Sequence, residues 1–248
     1  MRLEAHVADG VHRIEDAYVN WYLVEDAGRL TVVDAGHPRS WGSLHAALRT
    51  LGRAPGDIDA VVLTHGHFDH VGFAERARRD MHVPVWAPEA DRAVVAHPWR
   101  YEHERSRVPY LLRHPGFDRA FAAMAVAGAL SVEGVEHITP YLPGQRLDVP
   151  GRPIPIATPG HTHGHCALHL PDRGVLLAGD AVVTHDVYTD SHVPKIVAGA
   201  ATADSARALA SLDALAATGA PVVATGHGPV WRHGAADIAA RARAVGAT

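Results

Sequence analysis

Within the six positions His65-Gly66-His67-Phe68-Asp69-His70 the chain places three histidines and an aspartate. Imidazole nitrogen and carboxylate oxygen are the donors zinc takes where thiolate is absent, and the same donors accept iron or manganese. His65 and His67 are two apart, so in extended chain they point the same way. Asp69 and His70 follow where the chain turns toward a helix at Gly72-Phe73-Ala74-Glu75-Arg76-Ala77, so their side chains can face a neighbouring point. A solitary histidine at a strand end is ordinarily a hydrogen-bonded core residue, but four donors packed this closely read as a metal site. Three more donors follow: His161 in Thr158-Pro159-Gly160-His161-Thr162-His163-Gly164-His165, Asp180 after Leu176-Leu177-Ala178-Gly179, and His227 in Thr225-Gly226-His227-Gly228. Seven donors exceed the four of a closed structural zinc site and suit two metals, with places left for water.

Each donor group stands where an apolar run gives way to a polar loop beside glycine. Val61-Val62-Leu63 precedes the first, Ile154 to Ala157 the second, Leu176 to Ala178 the third and Val222 to Ala224 the fourth. Short β-branched runs of this kind read as buried strands, and α/β sheets place their chemistry at strand ends. Glycine lets backbone come close to a metal or substrate. Ser40 to Leu51 carries Leu44, Leu48 and Leu51 at helical spacing, with Gly52 as a stop; Thr202 to Thr218 and Gly234 to Val245 also read as helices. This alternation predicts α/β layering. His97 to Leu142 departs from it, being rich in arginine, histidine and aromatic residues, and reads as a helical insertion at about 97–142 in one domain spanning 1–248.

Composition narrows the partners. The chain has 248 residues, 47% hydrophobic and 20% charged, with a formal net charge of −4 and no basic run, so a nucleic-acid partner is not expected. No stretch is apolar enough for a membrane span, and Met1-Arg2-Leu3-Glu4-Ala5-His6 shows no apolar leader. The single cysteine, Cys166, excludes an internal disulfide and fits a reducing compartment, so a cytoplasmic location is expected. The composition carries no information on oligomeric state.

The ordered set His65-x-His67-x-Asp69-His70, His161, Asp180 and His227 resembles the metallo-β-lactamase superfamily of metal-dependent hydrolases. The match extends upstream to Thr31-Val32-Val33-Asp34-Ala35-Gly36, where that family has a strand followed by Asp-x-Gly beneath the metal loop, and runs from about Asn20 to Gly228. The resemblance implies an αββα sandwich, two mixed β-sheets flanked by helices. It also implies two Zn2+ per chain, with His65, His67 and His161 on the first, Asp69, His70 and His227 on the second, and Asp180 bridging both. Asp34 and Thr64 are then expected to brace the metal loop. Such paired ions lie about 3.5–4 Å apart and lower the pKa of bound water toward about 7. The implied reaction is attack of a metal-bound hydroxide on a carbonyl, with Asp69 as the catalytic carboxylate that orients the nucleophile.

Departures from named branches narrow the substrate. Asp180 stands where the main secreted zinc β-lactamases carry cysteine, and His70 where they carry arginine, so an antibiotic-degrading role is not expected. The Thr158 to His165 motif resembles the glyoxalase II group, yet only 20 residues follow Gly228, too few for that group's basic helical extension. Acyl-homoserine lactonases share the ligand set but place a tyrosine three residues after the bridging aspartate, where this chain has Val183. The expectation is a hydrolase of a small ester, thioester or lactone, with a small molecule as its partner. The alternative is a mononuclear iron enzyme of the same fold that oxidises a thiol or persulfide; a nuclease would bring further domains and a basic surface. The segment that leaves the site after Asp180 offers His185, Tyr188 and Lys195, the chain's one lysine, as substrate contacts.

Overall fold

Alternation along the strands decides the layering. The computed structural model describes residues 1–248, the side chains of Leu111 and Pro115 excepted. One sheet takes seven strands in chain order: β1 (Arg2–Ala8), β2 (Val11–Asp16), β3 (Val19–Asp26), β4 (Arg29–Val33), β5 (Ile58–Val62), β6 (Val85–Pro88) and β7 (Thr139–Tyr141). The other takes four, β8 (Ile154–Ala157), β9 (Cys166–Leu170), β10 (Val175–Gly179) and β11 (Val222–Thr225). Pairing is antiparallel from β1 to β4 and parallel from β4 to β7, and antiparallel from β8 to β10 with β11 parallel to β10. Both sheets are therefore mixed.

Side chains on successive strand residues face opposite ways, and both faces of these strands are apolar. Val62, Val24, Leu168, Leu177 and Ala224 meet in the core between the sheets. Their neighbours Val61, Leu23 and Val32 face outward onto Leu44 and Leu48 of α1 (Ser40–Thr50). The short helix α2 (Phe68–Val71) and α3 (Ala74–Met81) follow β5, and Ala74 and Ala77 join the same outer cluster. Leu176 and Val223 face the other way, onto helices that come later in the chain. Helices therefore cover both outer faces, giving the expected αββα sandwich with its main core between the sheets.

After β6 comes α4 (Arg92–Ala96), then α5 (Val108–Arg113) and α6 (Pro115–Val126) in the arginine- and aromatic-rich stretch. That stretch does not stay helical to Leu142. Its last residues, Thr139–Tyr141, form β7, the edge of the larger sheet beside β6. The strand is three residues long and contains Pro140, which lacks an N–H and is tolerated at a sheet edge. Too short to show periodicity, it is invisible to pattern reading. The initial strand β1 is likewise an edge strand without apolar alternation. The chain ends with α7 (Ser205–Ala217), capped by Asp204 accepting from Arg207 N–H, and α8 (Ala235–Val245). Leu212 and Leu215 of α7 and Ile238 of α8 cover the outer face of the smaller sheet. Among the described residues, no helix is long and apolar enough to cross a membrane.

Candidate metal centre

The four donor groups sit at the ends of β5, β8, β10 and β11, on one edge of the sandwich. The fold thus brings His65, His67, Asp69, His70, His161, Asp180 and His227 together from positions far apart in the chain. The ligand atoms of His65, His67 and His161 lie within 4.8 Å of one another, and so do those of Asp69, His70 and His227, and those of His65, His70 and Asp180. Asp180 joins the groups. Its Oδ2 is 3.3 Å from His161 Nε2 and 3.2 Å from His227 Nε2, and its Oδ1 is 3.5 Å from His70 Nε2. Asp69 Oδ2 stands 3.5 Å from His227 Nε2.

The imidazoles are held so that Nε2 points inward. Thr64 Oγ1–H donates to Asp34 (2.9 Å), which leaves the hydroxyl oxygen to accept from His65 Nδ1–H at 3.0 Å. Thr202 Oγ1–H donates to Val197 O (2.8 Å), so it too accepts, from His161 Nδ1–H at 3.4 Å. His227 Nδ1–H donates to Tyr18 O at 2.7 Å and His70 Nδ1–H to Asp34 Oδ2 at 2.9 Å. Four histidines thus donate through Nδ1, which leaves Nε2 as the atom that would meet a cation. His67 is held by its ring, 3.9 Å from that of Tyr101.

Unmet polar atoms show that these residues fit a metal. Nε2 of His65, His67, His70 and His161 and Oδ1 of Asp180 are buried with no hydrogen-bond partner. Buried polar groups left unpaired in one spot are costly unless an ion satisfies them. Burial and the neighbouring rings push His65 and His67 well below the usual imidazole range, and burial pushes His161 down to about 4, so all three are neutral ligands at pH 7. His227 behaves differently. Burial opposes its charge, but Asp180 and Asp69 outweigh that and carry it up to about 9; Asp180 and Asp34 likewise raise His70. A cation at these two rings must displace their protons.

Glycine makes the close approach to Asp180 feasible. A Cβ at Gly226 would collide with Asp180 Oδ1. At Gly179, with φ +50°, it would lie 2.8 Å from both His165 Nε2 and Thr64 Oγ1. Asp34 itself sits at φ +59°, uncommon for a residue other than glycine, and holds Thr64 N–H (2.8 Å) as well as His70. Asp34→Ala is expected to weaken binding of a cation held by His70 by about 10–100-fold. A cation held by His65, His67 and His161 should be affected less, since Asp34 reaches only His65 of that set, and only through Thr64. Equilibrium dialysis with zinc and stepwise chelator checks this; equal loss at both would mean that Asp34 acts on the fold.

Two supports escaped the sequence reading. Asp91, just before α4, is buried and accepts from Gly66 N–H (3.0 Å), Thr162 Oγ1–H (2.6 Å) and Gly164 N–H (2.7 Å). It ties the His65 loop to the His161 loop. His165, four residues after His161, is buried. Its Nε2 accepts from Asp180 N–H at 3.0 Å while Nδ1–H donates to Thr158 Oγ1 at 2.8 Å. Burial pushes it down to about 3, which keeps the acceptor free of a proton. Cys166 is buried, and burial pushes its thiol up to about 12, which makes it unreactive.

A cavity opens on Asp69, His67, His161, Asp180 and His227. Its walls are Phe68, Trp99 and Tyr101 on one side, Phe117, Phe121 and Met124 of α6 above, and His185, Val187 and Tyr188 opposite. Arg107 also lines it, with its guanidinium 5.0 Å above the Tyr101 ring. His185 and Tyr188 thus stand where substrate contacts were expected. Lys195 does not. Its Nζ is buried, 3.1 Å from Asp186 Oδ2, and donates to Thr248 Oγ1 at 2.7 Å. A lone lysine on a loop that needs a buried counter-charge is consumed by the loop's own packing.

The model of the metallo-beta-lactamase superfamily matches residues 14–227. The chain belongs to this superfamily. Among its relatives is the probable metallo-hydrolase YflN of Bacillus subtilis, 30% identical over 196 residues, covering 71% of this chain and 66% of that one. The chain thus spans slightly under two thirds of that relative's length. Among solved superfamily structures, TTHA1429 of Thermus thermophilus has a TM-score of 0.67 at 27% identity, covering 96% of this chain and 78% of that one. TTHA1623 in a di-iron-bound form has a TM-score of 0.62 at 25% identity, covering 93% and 96%. The superfamily and the inward-facing histidines and aspartates agree on a divalent-metal site.

Proposed function

We propose that this superfamily member is a metal-dependent hydrolase with two zinc ions, acting on a small ester, thioester or lactone that carries an apolar group. The observation that supports this most is the division of seven buried donors into two sets that share Asp180, facing an aromatic cavity. His65, His67 and His161 would hold one ion, Asp69, His70 and His227 the other, and Asp180 both. Bound there, the ions supply Lewis acidity at a carbonyl oxygen and a water of lowered pKa. The chain's residues do the rest. Asp69, on the cavity wall, orients the attacking water and accepts its proton. Phe68, Trp99 and Tyr101 keep bulk water away, which strengthens electrostatic interactions inside. Phe117 and Met124 suit an apolar acyl or alkyl group, and Arg107, a cation on this wall, suits a substrate carboxylate.

The pairing of donors favours a two-metal hydrolase over the mononuclear iron reading, since one iron leaves Asp69, His70 and His227 without a task. Metal analysis of protein purified without chelator is expected to find close to two zinc per chain. A panel of aryl esters, thioesters and lactones should then show turnover that rises with acyl length and disappears on chelation. Close to one iron per chain, with thiol-dependent oxygen uptake and no hydrolysis, would overturn the proposal.

A further inference from the structure

We infer that His185, Asp190 and His192 form a third cation site, separate from the seven-donor centre, at the rim of the cavity. The segment after Asp180 folds back on itself. Val183 pairs with Lys195, and Asp186 with Ser191 through backbone hydrogen bonds in both directions (2.9 and 3.3 Å). The next residues outward from the Asp186–Ser191 pair are His185 and His192. They stand opposite one another with side chains on the same face. Their rings are stacked, 4.1 Å between centroids and 13° from parallel.

Asp190 completes the set. Its backbone is left-handed, φ +53°, a conformation that aspartate tolerates better than most residues. The turn brings Oδ1 to 3.1 Å from His185 Nε2 and 3.7 Å from His192 Nε2. All three ligand atoms lie within 4.8 Å of one another. A hydrogen bond accounts for His185 and Asp190 alone. It leaves His192 Nε2 aimed at the same oxygen from beyond hydrogen-bond range. With the exposed His192 ring turned out of the stack so that both in-plane Nε2 lone pairs converge, one divalent cation would use every donor, and two imidazoles with one carboxylate are a set zinc accepts, with room for water or an outside ligand. His192 is 68% exposed, so the cation can enter from solvent.

The turn beneath the site is built firmly. Asp186 accepts from Thr189 Oγ1–H at 2.6 Å and pairs with the buried Lys195. Asp190 also packs against the start of α6, where a Cβ at Gly116 would strike its carboxylate. Because His185, Val187 and Tyr188 wall the cavity, a cation here would hold that wall in one position.

The test is a zinc titration of the full chain by calorimetry and by histidine ring signals in NMR, run beside His192→Ala and Asp190→Asn. The second substitution keeps a residue that tolerates the left-handed backbone. The wild type is expected to bind one more equivalent than either variant, more weakly than the others, with shifts of the His185 and His192 signals. Each variant should weaken that equivalent at least tenfold and leave the remaining stoichiometry as in the wild type. Equal stoichiometry and affinity in all three proteins, or unshifted His192 signals at zinc saturation, would overturn the inference.

Discussion

Asp180→Ala is expected to lose metal and activity together while the fold survives. The carboxylate stands between the two sets of donors, 3.2–3.5 Å from the Nε2 atoms of His70, His161 and His227. Asp180 follows directly on β10, the strand between β9 and β11, and Gly226, just after β11, leaves room for its carboxylate. Without it, His70 and His227 lose the negative charge that offsets their burial and revert toward neutral rings, so the protein is not left with buried uncompensated charge. Activity should fall by on the order of 10³-fold, since metal contributions of several kcal/mol vanish at about 1.4 kcal/mol per factor of ten. Metal content should fall below one equivalent, with the circular dichroism spectrum unchanged. Asp180→Asn, the same size without the charge, should follow alanine. Full metal content in either variant would remove Asp180 from its bridging role.

Asp91→Ala is expected to have the next largest effect, although the residue ligates nothing. Its removal leaves Gly66 N–H, Gly164 N–H and Thr162 Oγ1–H, all held by one buried carboxylate, without acceptors. Each unsatisfied buried donor costs about 1–3 kcal/mol, partly offset here because burial already raises the Asp91 pKa and makes its charge expensive. A net loss of about 2–3 kcal/mol would lower Tm by roughly 5–10 °C in a chain of this size. Because the carboxylate joins the loops of His65 and His161, zinc affinity should also fall about 10–100-fold. Asp91→Asn should recover part of both effects, since one amide oxygen can still accept two of the three donors. Thermal unfolding of the metal-free protein separates the stability cost from the metal effect. A lower Tm with unchanged zinc affinity would mean that Asp91 braces the fold alone.

Both expectations show where sequence and tertiary structure divide. The donors were legible because ligand chemistry restricts residue type. Histidine and aspartate clustered after apolar runs have few other uses, so His65, His67, Asp69, His70, His161, Asp180 and His227 stand out in the sequence itself. Asp34 was legible for a related reason, as a carboxylate at the end of a buried strand. Asp91 was not, because an acidic residue in Pro88-Glu89-Ala90-Asp91 has the appearance of an ordinary exposed turn; only the packing of two distant loops around it makes it a buried acceptor. His165 was undecided for the same reason, its role resting on a hydrogen bond to Asp180.

Layer order was partly legible. Period-two and helical spacing marked the longer elements, while the edge strands β1 and β7 carry little apolar pattern because a sheet edge buries less of each residue. Lys195 marks the limit most clearly. Sequence placed it near the site by distance along the chain, whereas the fold turned its ammonium into a buried pair with Asp186. Its neighbours His185 and Tyr188 went to the cavity wall instead. Residue type determines what chemistry a side chain can do, and that much is carried by the sequence alone. Which partner it meets depends on long-range packing, because burial and the nearest charge, not chain position, decide whether a polar group faces substrate, a metal or its own loop.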